Sequence, residues 1–213
     1  MSEQGFNSQQ DIDQNRKNRR VILGIFGIPA LVLIVSTGLY FLVSSKAVDL
    51  GTVNNGELVV PPLQFTELPL VKLDGEAFDY TQPEPKWAFV VFGDQYCQDN
   101  CERMLYLARQ SIVALAKKMH RVRLIYVTNN GIDNVLQQRF KTEYMGIDVI
   151  SLNDNDVKQL FSPVKIDPFK ANTFYVVDPR GWLMMHYEAE NTEQDTLNTL
   201  GKAVVRDMKR LIK

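Results

Sequence analysis

Trp87-Ala88-Phe89-Val90-Val91-Phe92-Gly93-Asp94-Gln95-Tyr96-Cys97-Gln98-Asp99-Asn100-Cys101 is the stretch on which the reading of this chain turns. It opens with an unbroken apolar run of strand length. A run without polar alternation suits a strand buried on both faces, as at the centre of an α/β sheet. Beyond a short turn, Met104, Leu105, Ala108, Ile112, Leu115, Ala116 and Met119 recur at helical spacing, which predicts a helix packed on that sheet. Both cysteines of the chain fall at the junction between strand and helix.

Working outward, Leu68 to Leu73 and Glu76 to Tyr80 flank Asp74-Gly75, a strong hairpin signal, so a small antiparallel ribbon is expected ahead of the central strand. Downstream, Arg121 to Thr128 reads as a strand and Asn129-Asn130-Gly131 as a turn. Ile132 to Tyr144 reads as a second helix with Val135, Leu136 and Phe140 inward, and Ile147 to Leu152 as a short extended stretch. A brief helix from Asn155 to Phe161 precedes Thr173 to Val177, the turn Asp178-Pro179-Arg180-Gly181, and Trp182 to Tyr187, an antiparallel pair. A last helix is expected from about Thr192, capped by Asn191 or Thr192, with Leu197, Leu200, Val204, Met208 and Leu211 on one face. Its basic end, Lys209, Arg210 and Lys213, suits the helix dipole. Strand, helix, strand, helix, hairpin and closing helix, with cysteines after the first central strand, is the thioredoxin layout; the fold class is α/β.

Ahead of this domain, Val21 to Val43 is a run of twenty-three residues without a charge, long enough to span a bilayer as a helix. Pro29 within it is compatible with insertion. Arg16-Lys17-Asn18-Arg19-Arg20 precedes the run and only Lys46 follows it closely, so the positive-inside bias places residues 1–20 in the cytoplasm and the remainder outside it. The expected organisation is a cytoplasmic tail at 1–20 whose first fifteen residues are disordered, an anchor at 21–43, a linker at 44–66 with a short strand near Leu58 to Val60, and the thioredoxin-like domain at 67–213. In a bacterium this is an inner-membrane protein with its domain in the periplasm. The alternative is a cleaved signal peptide, since Ser45-Lys46-Ala47 offers small residues, although the apolar run exceeds the usual h-region.

Composition narrows the chemistry. The formal charge is −1; residues 1–46 hold five Lys and Arg against Glu3, Asp11 and Asp13, and the rest is therefore net acidic, which gives no electrostatic case for nucleic acid. There is no internal repeat, no P-loop glycine pattern and no histidine pair at zinc-helix spacing. With two cysteines and two histidines in the chain, thiol or metal chemistry must be built from very few groups.

Cys97 and Cys101 are four residues apart, one turn on a helix, so their sulfurs can meet. A helix N-terminus stabilises a thiolate, which makes Cys97 the expected nucleophile and Cys101 the resolving thiol. The competing reading is a structural bridge in an oxidising compartment. Closing so short a loop is worth only about 2 kcal/mol in the chain-entropy model, against about 3 for fifteen residues, so a purely stabilising bridge gains more from a longer loop.

At these residues the sequence resembles the Sco/SenC family of membrane-anchored thioredoxin-like proteins. The matching pieces are the N-terminal anchor, the Leu73-Asp74-Gly75 ribbon, the apolar strand ending in Phe92-Gly93, the cysteines spaced by three residues with Asp99 between them, and Tyr175-Val176-Val177-Asp178-Pro179-Arg180-Gly181. The resemblance implies a role in assembling the copper centre of cytochrome c oxidase, by thiol-disulfide exchange or by delivery of Cu(I), with Cys97 and Cys101 as catalytic or metal-binding residues. It implies as partner an oxidase subunit or another exported thiol protein.

Two positions depart from the family pattern. Gln98 stands where the family has proline after the first cysteine. Counting back eight residues from Asp178, where the family carries its copper-binding histidine, gives Lys170, and a protonated ammonium cannot ligate copper. If near Cys97, Lys170 would instead lower the thiol pKa by charge. His120 lies about 28 Å along the helix from Cys101 and is expected on the surface. His186 is expected opposite Thr173, about 10 Å from the thiols, and is a weak candidate ligand. Met184 and Met185 read as strand packing. Two thiolates can hold Cu(I), a soft ion, without further ligands. A silent scaffold with a structural disulfide is the remaining alternative.

Overall fold

A computed structural model of the chain describes residues 4–44 and 54–212, apart from some side chains of the first helix. The Ser45-Lys46-Ala47 motif and the first part of the expected linker lie outside the described residues. The chain divides into two units, Met1–Val53 and Asn54–Lys213.

Among the described residues, the first unit holds one helix, α1 (Gln4–Ser44). Within it, Asn18–Leu42 has the length and composition needed to cross a membrane. The tail expected to be disordered is helical from Gln4, because backbone hydrogen bonding continues N-terminally from the apolar segment even though the tail has no apolar face of its own.

The second unit is built on one seven-stranded sheet. In chain order its elements are β1 (Glu57–Gln64), β2 (Val71–Lys72), β3 (Trp87–Phe92), α2 (Asn100–Ala114), β4 (Val122–Thr128), α3 (Asn134–Thr142), β5 (Asp148–Ser151), α4 (Asp154–Phe161), β6 (Thr173–Val177), β7 (Trp182–Glu188) and α5 (Gln194–Leu211). The strand order is β1-β7-β6-β3-β4-β5-β2. β3 runs parallel to β4 and antiparallel to β6, so the apolar run at Trp87 sits near the middle of the sheet, as its composition predicts. Its side chains alternate between two cores. Phe89 and Val91 face α2, α3 and α5 with Phe174, Val176 and Met185, whereas Ala88, Val90 and Phe92 join Ile125, Tyr175 and α4 residues Val157 and Phe161 on the other face.

Several expectations change. Residues 57–64, assigned to the linker, form an edge strand paired antiparallel with β7, so the folded unit begins at Asn54 and not at Glu67. Pro61 and Pro62 sit in this edge strand where its register with β7 is interrupted between Leu58 and Leu63, so their missing N–H groups break no regular ladder. The Asp74-Gly75 hairpin shrinks to a bridge between Val71 and Ala77, because β2 pairs with β5 instead. In α3, Leu136 and Phe140 point inward but Val135 is exposed, one position off the buried face. α2 ends at Ala114, and Ala116–Arg121 winds as a 3₁₀ segment after Ala116 takes a positive φ, which turns Ala116 and Met119 to solvent. The last helix starts at Gln194, two residues later than expected, with Asn191 accepting from the N–H of Glu193.

Candidate functional site

The site grows from the end of β3. Gly93 continues the strand by donating to the Val127 carbonyl at 2.9 Å. A Cβ on this residue would lie 2.1 Å from the Tyr126 hydroxyl and 2.8 Å from the Cys101 sulfur, so only glycine fits. The Asp94 carboxylate then accepts from the N–H groups of Tyr96 (2.9 Å) and Cys97 (2.8 Å), folding the chain back before the helix. Cys97 and Asp99 both take positive φ, 44° and 51°, a conformation costing about 1–3 kcal/mol each for non-glycine residues. Cys97 therefore lies in a strained loop three residues ahead of α2, and not in the first turn of the helix as its spacing implied. Cys101 is the second residue of α2.

The sulfurs of Cys97 and Cys101 are joined in a disulfide, with the two Cα atoms 5.1 Å apart. Their exposure differs: Cys97 is 1% and Cys101 6% accessible. Cys101 lines a cavity of about 420 Å³, whereas Cys97 does not. The cavity opens beyond the carboxyl ends of the parallel strands β3 and β4, the usual place for sites in such sheets. Phe92, Val127, Leu152, Val157 and Phe169 form its apolar wall, and Asp94, Asp99 and Asp154 stand at its polar side.

Tyr126 braces this arrangement. Its hydroxyl donates to the Asp94 carbonyl and lies 3.9 Å from the Cys101 sulfur. Burial, with the nearby Asp94 carboxylate second, pushes its pKa far above the ordinary phenol value, so it remains a donor at any physiological pH. α3 is fixed to the same region: the Asp133 N–H donates to the Gln95 carbonyl at 2.9 Å, and Arg139 pairs with Glu102 at 2.7 Å.

Lys170 does not reach the thiols. Its neighbours Phe169 and Ala171 line the cavity, but its own ammonium pairs with Glu188 on β7. A direct charge effect on Cys97 therefore has no support. His186 is buried on β7 opposite Tyr175, not Thr173, which places it two strands from β3; its Nε2 lies 3.3 Å from Glu57. It does not line the cavity. Burial lowers its pKa, because the opposing Glu57 carboxylate is itself largely exposed and screened. His120 is exposed on the 3₁₀ segment. Met185 is fully buried and Met184 packs against the same core, as strand residues do. Among the described residues no group of three or more His, Cys, Asp or Glu side chains comes together as a metal site. The donor set therefore does not fit a copper site with an imidazole ligand.

Gly93, Asp94, Tyr126 and Phe169 are the site residues that sequence reasoning did not single out for a role. Gly93 could have been suspected from its place at a strand end beside a cysteine pair. Nothing local marks the Tyr126 hydroxyl, which reaches the site only because Val91 and Tyr126 are paired across β3 and β4.

A central strand, a loop with a disulfide spaced by three residues and a following helix define a thioredoxin-fold domain of Sco-like form. Residues 87–213 match the family model described as "Transmembrane-like, thioredoxin-like, C-terminal domain", and the chain belongs to that family. Among solved structures it is similar to yeast Sco1, at 18% identity with a TM-score of 0.50, covering 70% of this chain and 90% of that one. It is also similar to an SCO1/SenC family lipoprotein from Bacillus anthracis str. Ames, at 19% identity with a TM-score of 0.50, covering 72% and 98%. Yeast Sco1 with copper bound matches at 18% identity and the same TM-score, covering 75% and 95%. At these identities the likeness is one of fold. A search of curated proteins returns no match.

Proposed function

We propose that this chain is a membrane-anchored thiol-disulfide exchange protein that works outside the cytoplasm on cysteines of another exported protein. Its setting is the assembly of the copper centre of cytochrome c oxidase. The observation that carries this reading is the Cys97–Cys101 disulfide, held in a strained loop with one of its two cysteines lining a cavity. Strain and access both favour exchange, since a bridge that only stabilises has no need of either. The basic cluster before the apolar segment of α1 supports the orientation.

Equilibration of the full chain with glutathione redox buffers tests the chemistry. A potential above about −270 mV fits an exchanging pair, and one below about −300 mV makes the bridge structural. The pathway is tested in cells: normal oxidase maturation with both cysteines replaced by serine would remove thiol-dependent assembly as the role. Copper bound by yeast Sco1 suggests a second reading, Cu(I) held by the reduced thiols. The ammonium of Lys170, turned to Glu188, supplies no third donor. Stoichiometric Cu(I) retained by the reduced protein against a chelator would favour that reading over exchange.

A further inference from the structure

We propose that Cys101, and not Cys97, is the sulfur that enters the mixed disulfide with a partner, leaving Cys97 as the resolving thiol. The proposal rests on the exchange reading and inverts the roles that sequence spacing alone assigns. An attacking thiolate must approach a disulfide sulfur along the S–S axis, on the side away from the sulfur that leaves, so access decides which one is attacked. Cys101 lines the cavity with Phe92, Gly93, Val127 and Phe169. Cys97, in the same buried cluster as Cys101, is 1% accessible against 6% for Cys101 and does not line the cavity.

The reduced state favours the same sulfur. Cys101 is the second residue of a fifteen-residue helix, where the dipole stabilises a thiolate. Cys97 lies outside the helix, three residues ahead of its first turn, and lacks this stabilisation. When the chain is reduced and attacks a partner disulfide, access and thiolate stabilisation therefore agree. When the chain is oxidised they oppose each other, because the helix makes Cys101 the better leaving group. Access prevails there, since a closed sulfur cannot be reached whatever its leaving partner.

The exchange balances as follows. A partner thiolate bonds to the Cys101 sulfur, the Cys97–Cys101 bond breaks, and its electron pair leaves on Cys97 as thiolate. A second partner thiolate then attacks the partner's sulfur in the mixed disulfide and releases Cys101 as thiolate. Two electrons pass from two partner thiols to the chain, and the partner gains one disulfide.

The test uses the oxidised full-length protein in detergent micelles, reduced glutathione as partner, and rapid quenching with iodoacetamide before mass spectrometry. The expected product carries glutathione on Cys101 and the alkyl group on Cys97, in about tenfold excess over the reverse. An equal mixture, or glutathione mainly on Cys97, overturns the proposal and leaves the exchange reading intact. An unchanged disulfide with no adduct on either sulfur overturns both. As a second measurement, reduced Cys97→Ser and Cys101→Ser proteins are mixed with oxidised glutathione. Cys97→Ser, which keeps Cys101, is expected to form its adduct about tenfold faster, and the opposite order overturns the proposal.

Discussion

The hydrogen that Gly93 carries in place of a side chain holds the disulfide, Tyr126 and the end of β3 together. Gly93→Ala would place a methyl 2.1 Å from the Tyr126 hydroxyl, so the phenol or the strand end must move. Its expected cost is about 1–3 kcal/mol, read as a lower thermal midpoint, together with slower exchange with glutathione because Cys101 shifts too. His186 gives a pH signature. Its folded pKa is lowered by burial, so the unfolded chain takes up the proton first as pH falls. The stabilisation from neutral His186 is complete above the unfolded value of about 6.5 and is lost as pH falls below it towards the folded value. Thermal melts across this range should show wild-type stability falling with acid, with a shallower fall in His186→Gln. Equal slopes would mean that other groups govern the acid limb.

At the scale of elements, the join between β1 and α5 is made by one buried carboxylate. Asp207, fully buried on α5, accepts from the Asn55 N–H (2.7 Å), the Asn55 amide (2.8 Å), the Gly56 N–H (3.1 Å) and the Tyr187 hydroxyl (2.9 Å). These donors lead directly into the edge strand, and Gly56 is packed so closely on Tyr187 and Met185 that a Cβ would sit 2.7 Å from the Tyr187 ring. Removing the acceptor leaves several donors buried and unpaired. Asp207→Ala should therefore cost about 3 kcal/mol in a denaturant titration and increase hydrogen exchange along β1 before the central strands are affected. A loss below about 0.5 kcal/mol would show that water replaces the carboxylate without penalty.

For the whole molecule, the important boundary is where the second unit starts. β1 and the turn after it contribute Val59, Leu63 and Phe65 to the core, each 4% exposed or less. Burying three such side chains is worth about 6 kcal/mol, a large share of the roughly 5–15 kcal/mol by which a domain is stable. A chain beginning at Asn54 is thus expected to fold cooperatively, whereas one beginning at Glu67 should melt at much lower temperature or not fold. Circular dichroism melts of the two truncated proteins decide this, and equal midpoints would show that β1 is dispensable.

What the sequence determined by itself was set by neighbours along the chain. The apolar run at Trp87 to Phe92, the strand at Thr173 to Val177, the helix after the cysteines and a spacing that lets their sulfurs meet follow from local periodicity, and each has its counterpart in the fold. Tertiary structure alone decided the rest. The proline-bearing segment at 57–64 became a strand because β7 had a free edge, and Lys170 turned away from the thiols because Glu188 stood across the hairpin. Cys101 came to face the cavity because Asp94, Tyr126 and Gly93, drawn together from two strands and a loop, fix the strained turn before α2. Backbone periodicity repeats over a few residues and can be read locally. The choice of which cysteine lines the cavity depends on packing between segments about thirty residues apart or more, where no local pattern carries the information.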